Sequence, residues 1–289
     1  MPELPEVETV RRGLEPVLTG AVIERVEMRR PDLRFPFPEN LPAALCGARI
    51  EGAERRAKYL LFPLSTGMAL MAHLGMTGRF RVTGGEGRAF EPGVFYAPDP
   101  PPGHDHLVMG LRLADGSRRE LIYSDPRRFG FVDLVGRDGK GTHASLPPMG
   151  PEPLGEDFDA AALTAALRGK KTPLKAALLD QRNVAGLGNI YVCEALFRAG
   201  LSPRRMAGSV GPVRAGRLVA AIKDVLREAI EAGGASLRDY AGADGKRGGF
   251  QQRFDVYDRE GEPCTRCGHP VLRFVQAGRS TFSCSTCQR

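Results

Sequence analysis

The sequence predicts a multidomain α+β chain: an N-terminal helix with a β-sandwich or barrel, then a helical domain, then a small zinc-binding β-ribbon. Three observations carry this. An apolar stripe with spacings of three and four occupies residues 3–18. Short runs separated by Gly, Pro, Asn and Asp fill residues 21–135. Two Cys-x-x-Cys pairs close the chain. With 289 residues, 42% of them hydrophobic, the chain has material for two domains plus a metal module. The expected boundaries are 1–135 for the helix and β-domain, 136–155 for a linker, 156–250 for the helical domain and 251–289 for the zinc module.

The first helix is read from Leu4, Val7, Val10, Leu14 and Val17, with Pro5 suited to its first turn and Gly20 just past its end. Strands follow at Ala21–Met28, Tyr59–Phe62, Ala69–His73, Phe80–Val82, Leu107–Leu113, Glu120–Tyr123 and Phe131–Val135. Residues 83–106, rich in Gly and Pro, are expected to form a long exposed loop. Beyond 155 the periodicity becomes helical. Asp157 or Asp159 caps a helix to about Leu167; Leu174, Ala177 and Leu178 form the next apolar face; Ile190, Cys193, Leu196 and Phe197 form another. Pro212 opens a long helix that ends at Gly233-Gly234. Asn183-Val-Ala-Gly-Leu-Gly-Asn189 lies directly before a helix N-terminus, where exposed backbone N–H groups suit a phosphate. Residues 242–250 are expected to be mobile.

Cys264-Thr-Arg-Cys267 and Cys284-Ser-Thr-Cys287 are separated by sixteen residues. Each pair puts two thiolates on one tight turn, and two such turns complete a tetrahedral site. Four protein ligands leave no open position, so one structural zinc is expected. The alternative of two disulfides is disfavoured because Cys46 and Cys193 remain over and no secretory signal is visible, a usage that suits the reducing cytoplasm. No apolar run approaches the roughly twenty residues that span a bilayer. The net charge of +7 favours a polyanionic partner.

The chemistry concentrates at the start, Met1-Pro2-Glu3-Leu4-Pro5-Glu6. A residue as small as Pro2 permits removal of Met1, which leaves a secondary amine. A free α-amino group has a pKa near ~8, so part of it is nucleophilic at neutral pH. Attack by such an amine on a sugar carbon gives an iminium ion, an electron sink like a lysine Schiff base. The apolar stripe would hold this terminus in place, with the carboxylates of Glu3 and Glu6 beside it.

Six motifs occur in register: Pro2-Glu-Leu-Pro-Glu-Val-Glu-Thr, Arg55-Arg-Ala-Lys-Tyr-Leu-Leu, His73-Leu-Gly-Met-Thr-Gly, Asp125-Pro-Arg-Arg-Phe-Gly, Gly186-Leu-Gly-Asn-Ile-Tyr and the closing cysteine pairs. Together they cover essentially the whole chain, which resembles the bacterial formamidopyrimidine-DNA glycosylases (the Fpg or MutM family). The resemblance implies a β-sandwich domain joined by a hinge to a helix-two-turn-helix domain and a zinc finger. It further implies excision of oxidised purines from duplex DNA followed by β,δ-elimination at the abasic sugar. By this likeness Pro2 is the nucleophile, Glu3 the general acid/base, Lys58 a phosphate contact that assists β-elimination, and Arg279 the finger arginine that clamps phosphates and is linked to δ-elimination. Glu6 and Lys246 match positions near the damaged base, Lys246 on the segment that caps it. His73 and Asn189 match phosphate contacts, and His104, Arg127, Arg128 and Lys170 further DNA contacts. Met76, Arg127 and Phe129 match the wedge that fills the gap left by an everted base.

The chain departs from the family at 83–106, which is longer and richer in proline, and at the glycine-rich stretch Gly245-Lys-Arg-Gly-Gly-Phe250. A sibling reading is an endonuclease VIII-like enzyme for oxidised pyrimidines. A reading from another class is a non-catalytic zinc-containing DNA-binding protein, which leaves Pro2 and Glu3 unexplained. A bacterial cytoplasmic monomer acting on double-stranded DNA is expected.

Overall fold

The computed structural model describes residues 1–84, 102–137, 148–235 and 249–289. They fall into two compact units, one drawn from 1–145 with 233–249, the other from 146–232 with 250–289.

The first unit opens with helix α1 (Leu4–Leu18) and continues through β1 (Val22–Met28), α2 (Leu41–Leu45), β2 (Glu54–Arg56), β3 (Tyr59–Pro63), β4 (Met68–His73), β5 (Arg79–Thr83), β6 (Asp105–Arg112), β7 (Arg118–Ser124) and β8 (Phe131–Gly136). Among the described residues two four-stranded sheets form, ordered β1-β6-β7-β5 and β2-β3-β4-β8. Every pairing is antiparallel. One core joins both sheets and α1. Val7, Val10, Leu14 and Leu18 of the helix pack with Ile23, Phe80, Leu107, Met109, Leu121 and Tyr123 of one sheet and Leu60, Phe62, Leu70 and Val132 of the other. This is a sandwich, each sheet burying its apolar face against the other.

The stripe of α1 ends on Leu18, which is fully buried, while Val17 is only partly so. A 3.6-residue period carries the face from 14 to 18. Of the long loop expected at 83–106, residues 85–101 lie outside the described residues, and its two ends are regular structure: Thr83 closes β5 and the far end is ordered. Residues 102–104 form a 3₁₀ turn and Asp105 already pairs with Ser124, so β6 begins before its apolar run. Two elements carry no periodic signal in the sequence. Helix α2 spans five residues, and β2 reads Glu-Arg-Arg and is a strand only because it pairs with β3.

The second unit holds α3 (Ala160–Leu167), α4 (Leu174–Leu179), α5 (Asn189–Arg198), α6 (Pro212–Glu231) and a hairpin of β9 (Leu272–Gln276) with β10 (Arg279–Ser283). Asp159 caps α3 by accepting from the Ala162 N–H at 2.7 Å. Cys193 and Phe197 of α5 pack with Val256, Val271 and Phe282 around the metal-ligand turns. Cys193 is thus a core residue. Among the described residues no helix is long and apolar enough to cross a membrane.

Candidate functional site

The start of α1 is built by its sequence. Glu3 is extended, with φ −103° and ψ −173°, and forms the N-cap; Pro5 occupies the first turn, where no intrahelical N–H is required. Glu3 and Glu6 make a reciprocal capping box, in which the Glu3 N–H donates to Glu6 Oε2 at 2.8 Å. The other oxygen, Glu6 Oε1, accepts from the Ala235 N–H at 2.8 Å. Glu6 therefore spends both oxygens on backbone, pinning the residue before the helix to Gly234-Ala235. Pro2, Glu3 and Glu6 are buried, whereas Met1 is 48% exposed.

Lys58 sits in the two-residue turn between β2 and β3, whose last pair is Arg56 with Tyr59. Its neighbour Ala57 has φ +52°, the left-handed region that costs an alanine energy. The Arg55 guanidinium supports the turn from beneath. Nη1 donates to the Ala57 carbonyl at 3.0 Å, and Nε to Glu8 Oε2 of α1 at 3.0 Å. Burial alone would raise the Glu8 carboxyl, but Arg11, Arg12 and Arg55 hold it below the usual carboxylate range. The basic run 55–58 is thus offset partly from within, by Glu8. Lys58 is not a surface lysine; it is 7% exposed.

His73, at the end of β4, packs between Tyr59 and Phe131, with ring centroids 5.0 and 5.7 Å away. Desolvation, then the positive charges of Lys58 and Arg34, lower its pKa to about 4. The Gly75 N–H donates to Nδ1 at 3.0 Å. The ring is therefore neutral at pH 7, and its proton is on Nε2, ready to donate.

The wedge candidates lie on two turns tied by one carboxylate. Asp125 is fully buried. Its Oδ1 accepts from the Thr77 hydroxyl and its Oδ2 from the Gly130 N–H at 2.8 Å. The Thr77 oxygen in turn accepts from the Arg127 N–H at 3.0 Å. The turns meet so closely that a Cβ on Gly75 (φ +59°) would lie 2.3 Å from the Gly130 nitrogen. Met76 is half-buried, and Arg127, Arg128 and Phe129 are exposed. The Arg127 guanidinium lies 4.8 Å from the Phe129 ring centroid. His104 is half-buried and accepts the Asp125 N–H through its carbonyl at 3.1 Å.

In the second unit, Lys170 is half-buried. Asn189 opens α5 behind its N-cap, Gly188. Its Nδ2 donates to the Ser280 carbonyl at 3.0 Å and lies 3.5 Å from the Tyr257 hydroxyl. Arg279 is exposed, at the first position of β10 after the Ala277-Gly278 turn. Lys246 lies outside the described residues, as do 242–248 of the capping segment and 138–147 of the linker.

The four ligand cysteines converge. Their Sγ atoms all lie within 4.8 Å of one another, with 264–287 at 3.9 Å and 267–284 at 3.4 Å. A tetrahedron with Zn–S bonds of about 2.3 Å has edges of about 3.8 Å, and a disulfide would need about 2.05 Å. The donor set fits one zinc and no disulfide.

Sequence reasoning missed Asp125, Thr77, Glu194 and Lys175 as organisers. Glu194, fully buried, accepts the N–H groups of Asp255, Val256 and Tyr257 at 2.9, 3.0 and 2.8 Å. The available signal was a charge set among apolar helix residues: Glu194 beside Cys193 and Phe197, Lys175 between Leu174 and Ala177.

Three family models match in chain order: the formamidopyrimidine-DNA glycosylase N-terminal domain over residues 1–132, the family's H2TH domain over 149–241, and the zinc finger found in FPG and IleRS over 261–289. A formamidopyrimidine-DNA glycosylase of Azorhizobium caulinodans is 57% identical, with all of both chains covered.

The chain belongs to the formamidopyrimidine-DNA glycosylase family.

Another glycosylase of the family, from Caulobacter vibrioides, is 55% identical over the full length of both chains. Among solved structures, the MutM (Fpg) protein of Thermus thermophilus matches with TM-score 0.83 and 45% identity, covering 99% of this chain and 98% of that one. The Lactococcus lactis Fpg bound to DNA containing an abasic site matches with TM-score 0.84 and 36% identity over all of both chains. The zinc-finger match of this glycosylase chain contains Cys264, Cys267, Cys284 and Cys287, and they hold one structural zinc.

Proposed function

We propose that the chain is a bifunctional DNA glycosylase and AP lyase that removes oxidised purines, chiefly 8-oxoguanine and formamidopyrimidines, from double-stranded DNA. The observation that carries the reading is the Pro2-Glu3 pair on the N-cap of a helix docked by a buried stripe, in a chain whose full length matches this family. Met1 precedes the helix and is half exposed, within reach of removal from a helix that begins at Leu4. The freed Pro2 amine attacks C1′ of the damaged nucleotide, and the base leaves as its bond to C1′ breaks. Glu3 protonates the ring oxygen as the sugar opens, which yields an iminium ion. Loss of a C2′ proton then expels the 3′ phosphate (β-elimination), and a second elimination expels the 5′ phosphate.

Lys58 and His73 offer side-chain N–H donors and Asn189 its backbone N–H in the first turn of α5 to backbone phosphates, and the +7 charge supplies the salt-dependent part of the affinity. Met76, Arg127 and Phe129 fill the space vacated by the everted base, with Arg127 free to pair with the orphaned partner. Lys246 and Glu6 belong to the lesion pocket, Glu6 by anchoring the backbone that leads into the capping segment. The enzyme works as a cytoplasmic monomer.

Borohydride trapping on abasic DNA tests the nucleophile, with intact mass reporting the loss of Met1. The native protein forms a covalent adduct and Pro2→Gly sharply less, while salt-dependent DNA affinity persists; unchanged trapping in the variant would place the nucleophile elsewhere. Side-by-side cleavage of duplexes carrying 8-oxoguanine or thymine glycol tests the substrate class, and preference for thymine glycol would move the enzyme to the oxidised-pyrimidine branch.

A further inference from the structure

Pro2 and Glu3 stand at the start of α1, and Lys58 stands on the turn between β2 and β3. One ion cluster ties these two elements together. Glu8, in the second turn of α1, is 9% exposed. Its Oε2 accepts from Arg55 Nε at 3.0 Å, and its Oε1 from Arg11 Nη2 at 3.0 Å and Arg12 Nε at 2.9 Å. Each of two guanidiniums then reaches a backbone carbonyl. Arg11 Nη1 donates to Ala53 at 3.1 Å, just before β2, and Arg55 Nη1 to Ala57 at 3.0 Å, just after it. The helix thus holds β2 at both ends, at Ala53 through Arg11 and at Ala57 through Glu8 and Arg55.

The second hold falls on a conformation that needs one. Ala57 has φ +52°, a region that a side chain disfavours. Its dihedrals decide the direction in which Lys58 leaves the turn. Among the described residues β2 is the outermost strand of its sheet, and its three residues are all charged. No apolar side chain of its own anchors it, so side-chain hydrogen bonds must. The Arg55 and Glu8 side chains are each 11% exposed, which leaves their pairing little screened by salt. A planar guanidinium serves two acceptors at a fixed angle, as this bridge requires; an ammonium on a flexible stem does not.

We propose that Arg55 is a positioning residue for Lys58: by bridging Glu8 and the Ala57 carbonyl it holds the strained turn in the conformation that presents the lysine, at a fixed place relative to the helix that bears Pro2 and Glu3. The proposal rests on the assignment of Lys58 to the chemistry. It gives the basic run 55–58 two separate duties, with Arg55 spent inside the protein and Lys58 turned to the DNA.

The test uses zinc-loaded full-length proteins and two single-turnover rates, excision of 8-oxoguanine and β-elimination at a preformed abasic site. Lys58→Ala defines how far each step depends on the lysine. Arg55→Met is expected to reproduce that profile across the two steps, slowing the lysine-dependent one about tenfold or more, the equivalent of one charge-assisted hydrogen bond. Arg55→Lys keeps the charge, loses the fork and stays slow. Ala57→Gly added to Arg55→Met recovers about threefold or more, because glycine enters positive φ without a side chain to clash. In the Lys58→Ala background Arg55→Met slows that step no further. Glu8→Gln shifts the rates in the same direction as Arg55→Met and remains informative where Arg55→Met does not fold. Parental rates in both Arg55→Met and Glu8→Gln, with a slowed Lys58→Ala, overturn the proposal. So does a profile across the two steps unlike that of Lys58→Ala, or a full additional loss from Arg55→Met in the Lys58→Ala background. Parental rates in Lys58→Ala overturn the assignment of Lys58, and this proposal falls with it.

Discussion

Replacing Thr77 by valine keeps the shape of the side chain and deletes one oxygen that serves two turns. That oxygen donates to the fully buried Asp125 carboxylate and accepts the Arg127 N–H at 3.0 Å. A hydrogen bond to a charged group contributes about 1.5–3 kcal/mol and a neutral one about 0.5–1.5 kcal/mol. Loss of both predicts a destabilisation of about 2–4 kcal/mol. Thr77 is itself 8% exposed, so water replaces the lost partner poorly. The penalty falls on the turns that carry Met76 and Arg127–Phe129, so base eversion should suffer along with stability. Urea unfolding followed by far-UV circular dichroism suits the chain, which has no tryptophan. A 2-aminopurine placed beside the lesion reports unstacking of the duplex. Thr77→Ser, which keeps the oxygen, should stay close to the parent in both assays. If Thr77→Val lies within about 0.5 kcal/mol of the parent and unstacks DNA equally well, Asp125 and Thr77 do not organise the wedge.

Three further outcomes follow from the geometry. His73 titrates near 4 in the folded chain against about 6.5 unfolded, so the unfolded state takes up the proton first and stability falls as pH drops from about 6.5 to about 4. The loss between pH 7 and pH 5 is about 2 kcal/mol, and His73→Gln should lack it in paired urea titrations; an equal pH dependence in both proteins contradicts a neutral, desolvated ring. Glu194→Gln leaves one acceptor oxygen for three backbone N–H groups and should cost about 2–4 kcal/mol, read as a lower urea midpoint of the second unit; an unchanged midpoint would mean the carboxylate is dispensable. Chelation should release one zinc per chain, unfold the finger, whose zinc-binding energy is folding energy, and abolish the elimination steps. Full activity in a metal-free protein would refute a structural role for the metal.

The zinc site was legible because spacing alone constrains it: two residues between cysteines make a turn, and two turns make a tetrahedron. Helix α1 was legible because burial on one face imposes a period, and most strands because their apolar runs stop at turn residues. Strand β2 was not, since its three charged residues become a strand only through a neighbour. The start of β6 at Asp105 was hidden for the same reason.

By its sequence, this chain determined the order of its domains, its metal ligands and the unusual imino acid near its beginning, because each depends on residue type and local spacing. Only the tertiary structure decided that Lys58 is buried on a strained turn and that His73 is neutral. It also decided that Asp125, Glu194 and Lys175 spend their charges on backbone and hydroxyl groups, up to 106 residues away for Lys175. Charge state and hydrogen-bond partner follow from what surrounds a group once water is excluded, and distant segments of the chain supply those surroundings only after they have packed together.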